Sequence, residues 1–277
     1  PMFTLNCKGK LLVLDSPVIM GIINATPDSF YKGNINDDML LLAEKMIADG
    51  ATILDIGGQS TRPGSERIAA AEELTRVIPV IQSIHQHFPD TVISIDTYNS
   101  KVAAAAVEAG ASIVNDISAG NMDEAMLQTV AALKVPYVCM HMQGTPELMQ
   151  KEPQYNNVTA EVIDFFIGKI EQCKKAGITD IIVDPGFGFG KTIEHNFSLF
   201  KNMNAFGILA KPVLAGISRK STIYKTLHTT ADNALNGTTV LNTMALMNGA
   251  SILRVHDVKE AKEAITLYMA YKKASAC

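Results

Sequence analysis

The chain has 277 residues, 47% of them hydrophobic and 19% charged, with 24 Lys and Arg against 28 Asp and Glu for a formal charge of −4. That balance excludes a disordered chain, no apolar run reaches the ~18 residues a membrane span needs, and no Lys/Arg block offers a surface to a nucleic-acid backbone or an anionic membrane. Small molecules are the expected ligands, with no nucleic-acid and no membrane partner. Cys7, Cys139, Cys173 and Cys277 form no C-x-x-C pair and read as free thiols. Residues 1–8 carry neither a signal nor a transit pattern, so the expected location is cytoplasmic.

In chain order, the first apolar run is 18–23, which ends at Asn24. The loop over 24–34 carries an amide, a carboxylate, hydroxyls and two aromatics, a composition suited to closing over a ligand. A helix is expected to start near Asp37, because Met39, Leu42, Ala43, Met46 and Ile47 share one face. It ends in Asp49-Gly50-Ala51-Thr52-Ile53-Leu54-Asp55, a phrase that recurs as Ala109-Gly110-Ala111-Ser112-Ile113-Val114-Asn115 and Asn248-Gly249-Ala250-Ser251-Ile252-Leu253-Arg254. A longer version is Ala176-Gly177-Ile178-Thr179-Asp180-Ile181-Ile182-Val183-Asp184. In each, glycine suits a left-handed helix cap. The apolar run that follows lacks polar alternation, as a parallel strand covered on both faces does.

The second loop, over 57–64, sets Gly57 and Gly58 beside Arg62 and Pro63. A helical stretch over 70–87 contains Pro79, which predicts a kink or break there. His85 and His87 on that stretch, spaced i,i+2, read as solvated. Further runs at 92–95, 136–140 and 213–215 bring the strands to eight, with helix-compatible stretches between nearly all of them. This is the pattern of a (β/α)8 TIM barrel of the α/β class, one domain over 1–277. A doubly wound sheet has fewer strands and needs no polar group after each.

Every strand ends in groups that would ring one mouth: Asn24, Asp55, Asp96, Asn115 and Asp116, His141, Asp184, Ser218, Arg254 and His256. Asp96, Asn115 and Asp184 at one depth supply acceptors for a ring rich in N–H donors, such as a pterin or guanine-like ring, while Lys220, Arg254 and His256 add donors for a phosphate. His141 reads equally as mouth packing or ligand contact. Residues 184–192 match neither a P-loop nor a G-x-G-x-x-G fingerprint, since Pro185 and Lys191 stand where glycine is required. What remains is a Gly-rich turn that lets backbone approach a flat ligand, with Phe189 to pack on it. Ser218 and Lys220 precede a helix start that can gather an anion; no oxyanion or elbow motif makes Ser218 a nucleophile.

Taken in order, Gly21-Ile22-Ile23-Asn24-Ala25-Thr26-Pro27-Asp28-Ser29-Phe30, Asp55-Ile56-Gly57-Gly58-Gln59-Ser60-Thr61-Arg62-Pro63-Gly64, Ile95-Asp96-Thr97, Ile113-Val114-Asn115-Asp116-Ile117, Met140-His141-Met142-Gln143-Gly144-Thr145-Pro146, Asp184-Pro185-Gly186-Phe187-Gly188-Phe189-Gly190-Lys191, Ser218-Arg219-Lys220-Ser221 and Arg254-Val255-His256-Asp257 resemble the dihydropteroate synthase family across nearly the whole chain. The resemblance implies a transferase of folate synthesis that joins 4-aminobenzoate to 6-hydroxymethyl-7,8-dihydropterin diphosphate by dissociative substitution, releasing pyrophosphate, and that is a sulfonamide target. It implies a pterin site of Asp96, Asn115, Met140, Asp184, Phe189, Gly216, Lys220 and Arg254, and a 4-aminobenzoate site of Thr61, Arg62, Pro63, Phe189, Ser218 and Lys220. Pyrophosphate would meet Asn24, Thr61, Arg254 and His256, with Mg2+ held through Asn24. The catalytic groups would be Asn24, Asp96, Lys220, Arg254 and His256. A homodimer is a further family expectation, since Val240, Leu241, Met244 and Met247 make a helix face that suits an interface or the core equally.

Two positions depart from the family pattern. Lys32 stands where a carboxylate is common, and Gln59 where Glu usually precedes Ser-Thr-Arg-Pro. The alternative reading is a pterin-binding module that presents methyltetrahydrofolate to a corrinoid protein, which has no need of Thr61-Arg62-Pro63 or Ser218-Arg219-Lys220.

Overall fold

Short runs of Ile, Val and Leu become parallel strands here because both their faces find apolar cover. The structure, a computed structural model, describes residues 2–26, 35–59, 67–145 and 153–274. A hairpin of β1 (Phe3–Cys7) and β2 (Lys10–Leu14) precedes β3 (Val18–Asn24), α1 (Ile35–Asp49), β4 (Ile53–Gly57), α2 (Ala70–His87), β5 (Val92–Asp96) and α3 (Ser100–Ala109). Then come β6 (Ile113–Asp116), α4 (Met126–Leu133), β7 (Tyr137–Met140), α5 (Val158–Ala176), β8 (Ile181–Asp184), α6 (Ile193–Lys201) and a 3-10 segment (Met203–Leu209). Last are β9 (Leu214–Ala215), α7 (Ser221–Thr226), α8 (Leu235–Met247), β10 (Ile252–Val255) and α9 (Val258–Lys273).

Strands β3 to β10 pair in parallel in the order β8-β7-β6-β5-β4-β3-β10-β9. A parallel bridge between Val183 and Val213 joins the two ends, and the Val183 amide donates to the Pro212 carbonyl at 3.0 Å. The eight-stranded (β/α)8 barrel expected from the repeat is the fold.

Alternate residues along each strand face opposite ways. Ile19, Ile23, Leu54, Ile56, Ile93, Ile95, Val114, Val183 and Leu253 point outward and pack with the helices in the main core. Met20, Ile53, Val92, Ile113, Val138, Ile182, Leu214 and Ile252 point inward and fill the floor of the barrel. The four repeat glycines, Gly50, Gly110, Gly177 and Gly249, all take positive φ, as the cap reading requires. At Gly110 a side chain would also collide with the His85 ring.

Two features differ from expectation. Helix α2 runs unbroken past Pro79, because Glu73, Val77, Val80, Ile81 and Ile84 are buried on both sides of it and hold one continuous face to the barrel. The N-terminal hairpin was not expected. Lys8 and Gly9 both have positive φ, at 53° and 87°, which makes the two-residue turn that matches strand twist. Its period-2 side, Leu5, Cys7, Leu12 and Leu14, joins the floor cluster and closes the barrel from below. Lys10 Nζ donates to the Pro89 carbonyl, Lys8 Nζ to that of Val107 at 2.8 Å, and Asp180 accepts from the Asn6 amide at 2.7 Å. Among the described residues no helix is long and apolar enough to cross a membrane.

Candidate active site

On most strands the inward row that is apolar on the floor reaches a polar side chain two or four residues later, near the carboxyl end; β7 instead continues from Val138 to Met140. Asp55 is fully buried there, and one of its oxygens, Oδ2, accepts from Arg254 Nε at 2.6 Å and from Asn115 Nδ2 at 3.0 Å. Arg254 Nη2 donates to Asp96 Oδ2 at 2.6 Å, so one guanidinium spans two carboxylates. Burial pushes Asp96 up to about 7; Arg254 opposes this and Asp55 adds to it. Burial would lower Arg254, but Asp55 and Asp96 outweigh it and hold the guanidinium charged. Asp96 and Asn115 are register partners. Asp184 pairs with Met140, one inward position beyond Val138, the partner of Asn115; the stagger of barrel strands brings it into the same pocket.

That pocket is lined by Asp96, Asn115, Ile117, Met140, Asp184, Phe189, Gly216, Lys220 and Arg254. All eight residues expected around a pterin ring are present, and Ile117 adds to them. Ile117, Met140 and Phe189 form a small apolar cluster with Tyr98 and Met142 against it. One wall is therefore greasy and flat while the other is charged, the division that holds a heterocycle by its faces and reads it at its edge.

The turn after β8 is built to bring backbone close. Gly186 has φ +69°, and a side chain there would collide with the His141 carbonyl oxygen. Its amide donates to Asp184 Oδ1 at 2.8 Å, and Asn196, buried on α6, accepts from the Gly188 amide at 2.8 Å. Beneath the turn lies a buried amine: Lys191 Nζ donates to the Gly186 and Phe189 carbonyls at 2.9 and 3.1 Å and lies 2.9 Å from His141 Nδ1. Burial pushes Lys191 down to about 7, helped by Lys220 and opposed by Asp184. Burial likewise takes His141 down to about 3, so a neutral ring faces the amine. Lys220 reaches across from the other side, donating to the Phe187 carbonyl at 2.6 Å with Nζ 4.8 Å from the Phe189 ring centroid. Burial lowers it to about 8 against the pull of Asp184, while burial raises Asp184 against the pull of Lys220.

At the rim, Ser218 Oγ lies 2.9 Å from His256 Nδ1 and accepts from the His256 amide at 3.2 Å. Asn24 is exposed at the end of β3, in register with Gly57, which pairs in turn with Asp96. Among the described residues no three His, Cys, Asp or Glu side chains gather as a metal cage. Mg2+ keeps several waters and takes few protein oxygens beside a substrate's phosphates, and the Asn24 amide oxygen at the rim is a hard donor of the kind that suits it. Thr61, Arg62 and Pro63 lie outside the described residues, as does Lys32. Gln59 is described: its Nε2 donates to the Tyr98 hydroxyl at 2.6 Å, using the donor that a Glu would lack.

Two members of the expected ring are not in it. Asp116 and His141 occupy outward positions. Asp116 accepts from Ser118, Gly120 and the Tyr137 hydroxyl behind the sheet, and His141 packs edge-on to Phe165 at 4.9 Å. Both follow an inward polar or apolar neighbour by one residue, and the pleat turns them away. The reading of strand ends places Asp55 in the ring without showing that it joins Arg254 to Asn115, and it passes over two groups, the buried Lys191 and Arg219 with Asp257. Asp55 closes the first repeat phrase at the position that Asn115 and Arg254 take in theirs, and that shared place is the signal that marks it.

Comparison with known proteins bears on this pocket. A family model described as "Pterin binding enzyme" matches residues 20–256. The dihydropteroate synthase of Escherichia coli (strain K12) is 43% identical over 263 residues, 93% of each chain. The Xanthomonas albilineans dihydropteroate synthase solved with 4-aminobenzoic acid superposes with a TM-score of 0.93 at 38% identity, covering 99% of this chain and 100% of that one. For the Yersinia pestis dihydropteroate synthase solved as a sulfonamide drug complex, the values are 0.94 and 39%, over 98% and 100%.

Proposed function

Belonging to the pterin-binding enzymes, and within them to the dihydropteroate synthases, this chain is a transferase of folate synthesis, and we propose that its mouth residues divide the chemistry between the two ends of 6-hydroxymethyl-7,8-dihydropterin diphosphate. The observation that carries the proposal is the pocket in which Asp96, Asn115, Asp184, Lys220 and Arg254 meet the apolar wall of Ile117, Met140 and Phe189. The pterin lies on that wall, with the carboxylates and the Asn115 carbonyl accepting from its N–H edge.

Breaking the carbon–oxygen bond leaves negative charge on the diphosphate and positive charge on the pterin methylene. Arg254 and His256 donate to the departing oxygens, and Asp96 offsets the developing cation. Arg254 has Nε on Asp55 and Nη2 on Asp96, which leaves its third nitrogen for the leaving group. Mg2+ held through Asn24 supplies Lewis-acid charge to the diphosphate when bound. The amine nitrogen of 4-aminobenzoate then forms the new carbon–nitrogen bond and sheds a proton to solvent. Its low basicity makes placement the main task, which falls to Ser218, Lys220 and Phe189 together with Thr61, Arg62 and Pro63. Thr61 serves the pyrophosphate as well, and Gly216 leaves space at the pterin.

The products are 7,8-dihydropteroate and pyrophosphate, and sulfonamides compete with the amine. Among the described residues Cys7, Cys139 and Cys173 are buried free thiols, which supports a reducing, cytoplasmic setting. Two copies associate through α8, whose Val240, Met244 and Met247 are exposed. The reaction is tested by pyrophosphate release from the pterin diphosphate with Mg2+, with and without 4-aminobenzoate, using Arg254→Ala as control. Amine-dependent release that a sulfonamide suppresses, and that 4-aminobenzoate restores, supports the reading. Pterin binding without release would favour a binding module.

A further inference from the structure

Between Ser218 and Lys220 stands Arg219, a non-glycine residue at φ +54°, whose side chain is absent from the pocket that Lys220 lines and pairs elsewhere. Its guanidinium forks onto Asp257, with Nε to Oδ2 and Nη2 to Oδ1 both at 2.8 Å. The remaining nitrogen, Nη1, donates to the carbonyls of Ala231 and Asp232 at 3.1 and 3.0 Å, and the Arg219 amide donates to Thr238 Oγ1 at 3.0 Å. All three guanidinium nitrogens are thus spent on two chain segments, the turn after β10 and the segment before α8, and the backbone amide ties the residue to a third, α8 itself. Asp257 directly follows His256, and Ser218 directly precedes Arg219. The ion pair therefore accompanies the Ser218–His256 contact, one residue further along the chain in each of the turns that follow β9 and β10. A planar fork on a carboxylate fixes both distance and angle, which a lysine's point charge does not.

We propose that Arg219 and Asp257 are positioning residues, a clamp that sets the Ser218–Lys220 turn and His256 in fixed relation so that the acceptor amine and the leaving diphosphate are held for the same step. The proposal rests on the synthase reading above. It adds two residues that touch neither substrate. The pterin acceptors Asp96, Asn115 and Asp184 lie on β5, β6 and β8, away from the clamp.

The test uses the intact chain with Arg219→Lys, Asp257→Asn, Asp257→Glu and the double variant Arg219→Lys/Asp257→Asn. Steady-state kinetics are combined with equilibrium binding of 4-aminobenzoate and of inorganic pyrophosphate with Mg2+. Losing one charged, forked contact is expected to raise the KM for 4-aminobenzoate and the Kd for pyrophosphate roughly ten- to hundred-fold, with the pterin KM changed several-fold less. Asp257→Glu, which keeps the fork, should restore much of the loss, and the double variant should be no worse than the worse single one. A purely structural pair would lower Tm and the active fraction while each active molecule kept its parental constants. That result, or additive effects in the double variant, overturns the clamp. If the parent chain releases no pyrophosphate, the synthase reading fails, and the binding measurements still decide on the clamp.

Discussion

Lys191 is buried beside another lysine and a neutral histidine, and its amine has two backbone carbonyls for partners. Burial takes it from 10.5 in an open chain to about 7 in the fold. Between those values the unfolded chain holds a proton that the folded chain has released, so the stability contribution of this residue rises with pH from about 7 to 10.5. Below about 7 the fold carries the buried charge and the penalty is complete. Urea midpoints measured at several pH values above 7 should therefore climb more steeply in the parent than in Lys191→Met, whatever the variant's absolute stability; equal slopes would remove Lys191 as the source. Its role was invisible in sequence because its partners are not its neighbours, His141 being fifty positions away. The same holds for Asp55 and Arg254, 199 positions apart, and for Arg219 and Asp257, 38 apart. Asp96, Asn115, Asp184 and Lys220 were legible because each closes or follows an apolar run where a core residue is expected, and because their phrases match a family. Asp116 and His141 share that first property and still face outward, since the run alone does not say which side of the pleat its last residue takes.

At the scale of elements, the repeat of helix end, glycine and apolar run locates four of the eight barrel strands and unbroken apolar runs locate the other four, because a strand covered on both faces has a composition that few other elements share. The hairpin of β1 and β2 carries the opposite signature, Leu5 and Cys7 against Leu12 and Leu14 with polar residues or exposed Leu11 and Val13 between them. Two five-residue strands give an alternation too short to separate from an ordinary loop by period alone. It closes the end of the barrel opposite the mouth, which makes stability and catalysis separable there. Leu14→Ala, at a position 3% exposed, should cost about 2–5 kcal/mol by leaving a cavity under the floor. Per folded molecule, kcat and both KM values should stay at parental levels. A fall in kcat/KM with no fall in denaturant midpoint would mean that floor and mouth are coupled.

For the whole molecule, the apolar face of residues 240–247 suits the core and a surface equally by sequence. The structure divides it. Leu241 is buried, while Val240, Met244 and Met247 are 50%, 46% and 61% exposed, at the i, i+4, i+7 spacing that puts them on one stripe of α8. On α9, which packs beside α8, Leu267 and Tyr271 are 72% and 70% exposed. Exposed apolar side chains occur elsewhere on the surface, Leu41 and Ile208 among them, but here five lie together on two neighbouring helices, and a contiguous apolar patch is what a partner covers. Helix α8 also carries Thr238, which accepts from the Arg219 amide at the edge of the active site. A partner seated on α8 would therefore brace the segment that orients Ser218 and Lys220. Sedimentation equilibrium should give a dimer for the parent and a monomer for Met244→Glu, with the monomer's KM for 4-aminobenzoate raised more than its pterin KM. A parent that sediments as a monomer at micromolar concentration would reject the dimer, and a monomeric variant with parental KM values would reject the link from α8 to the site.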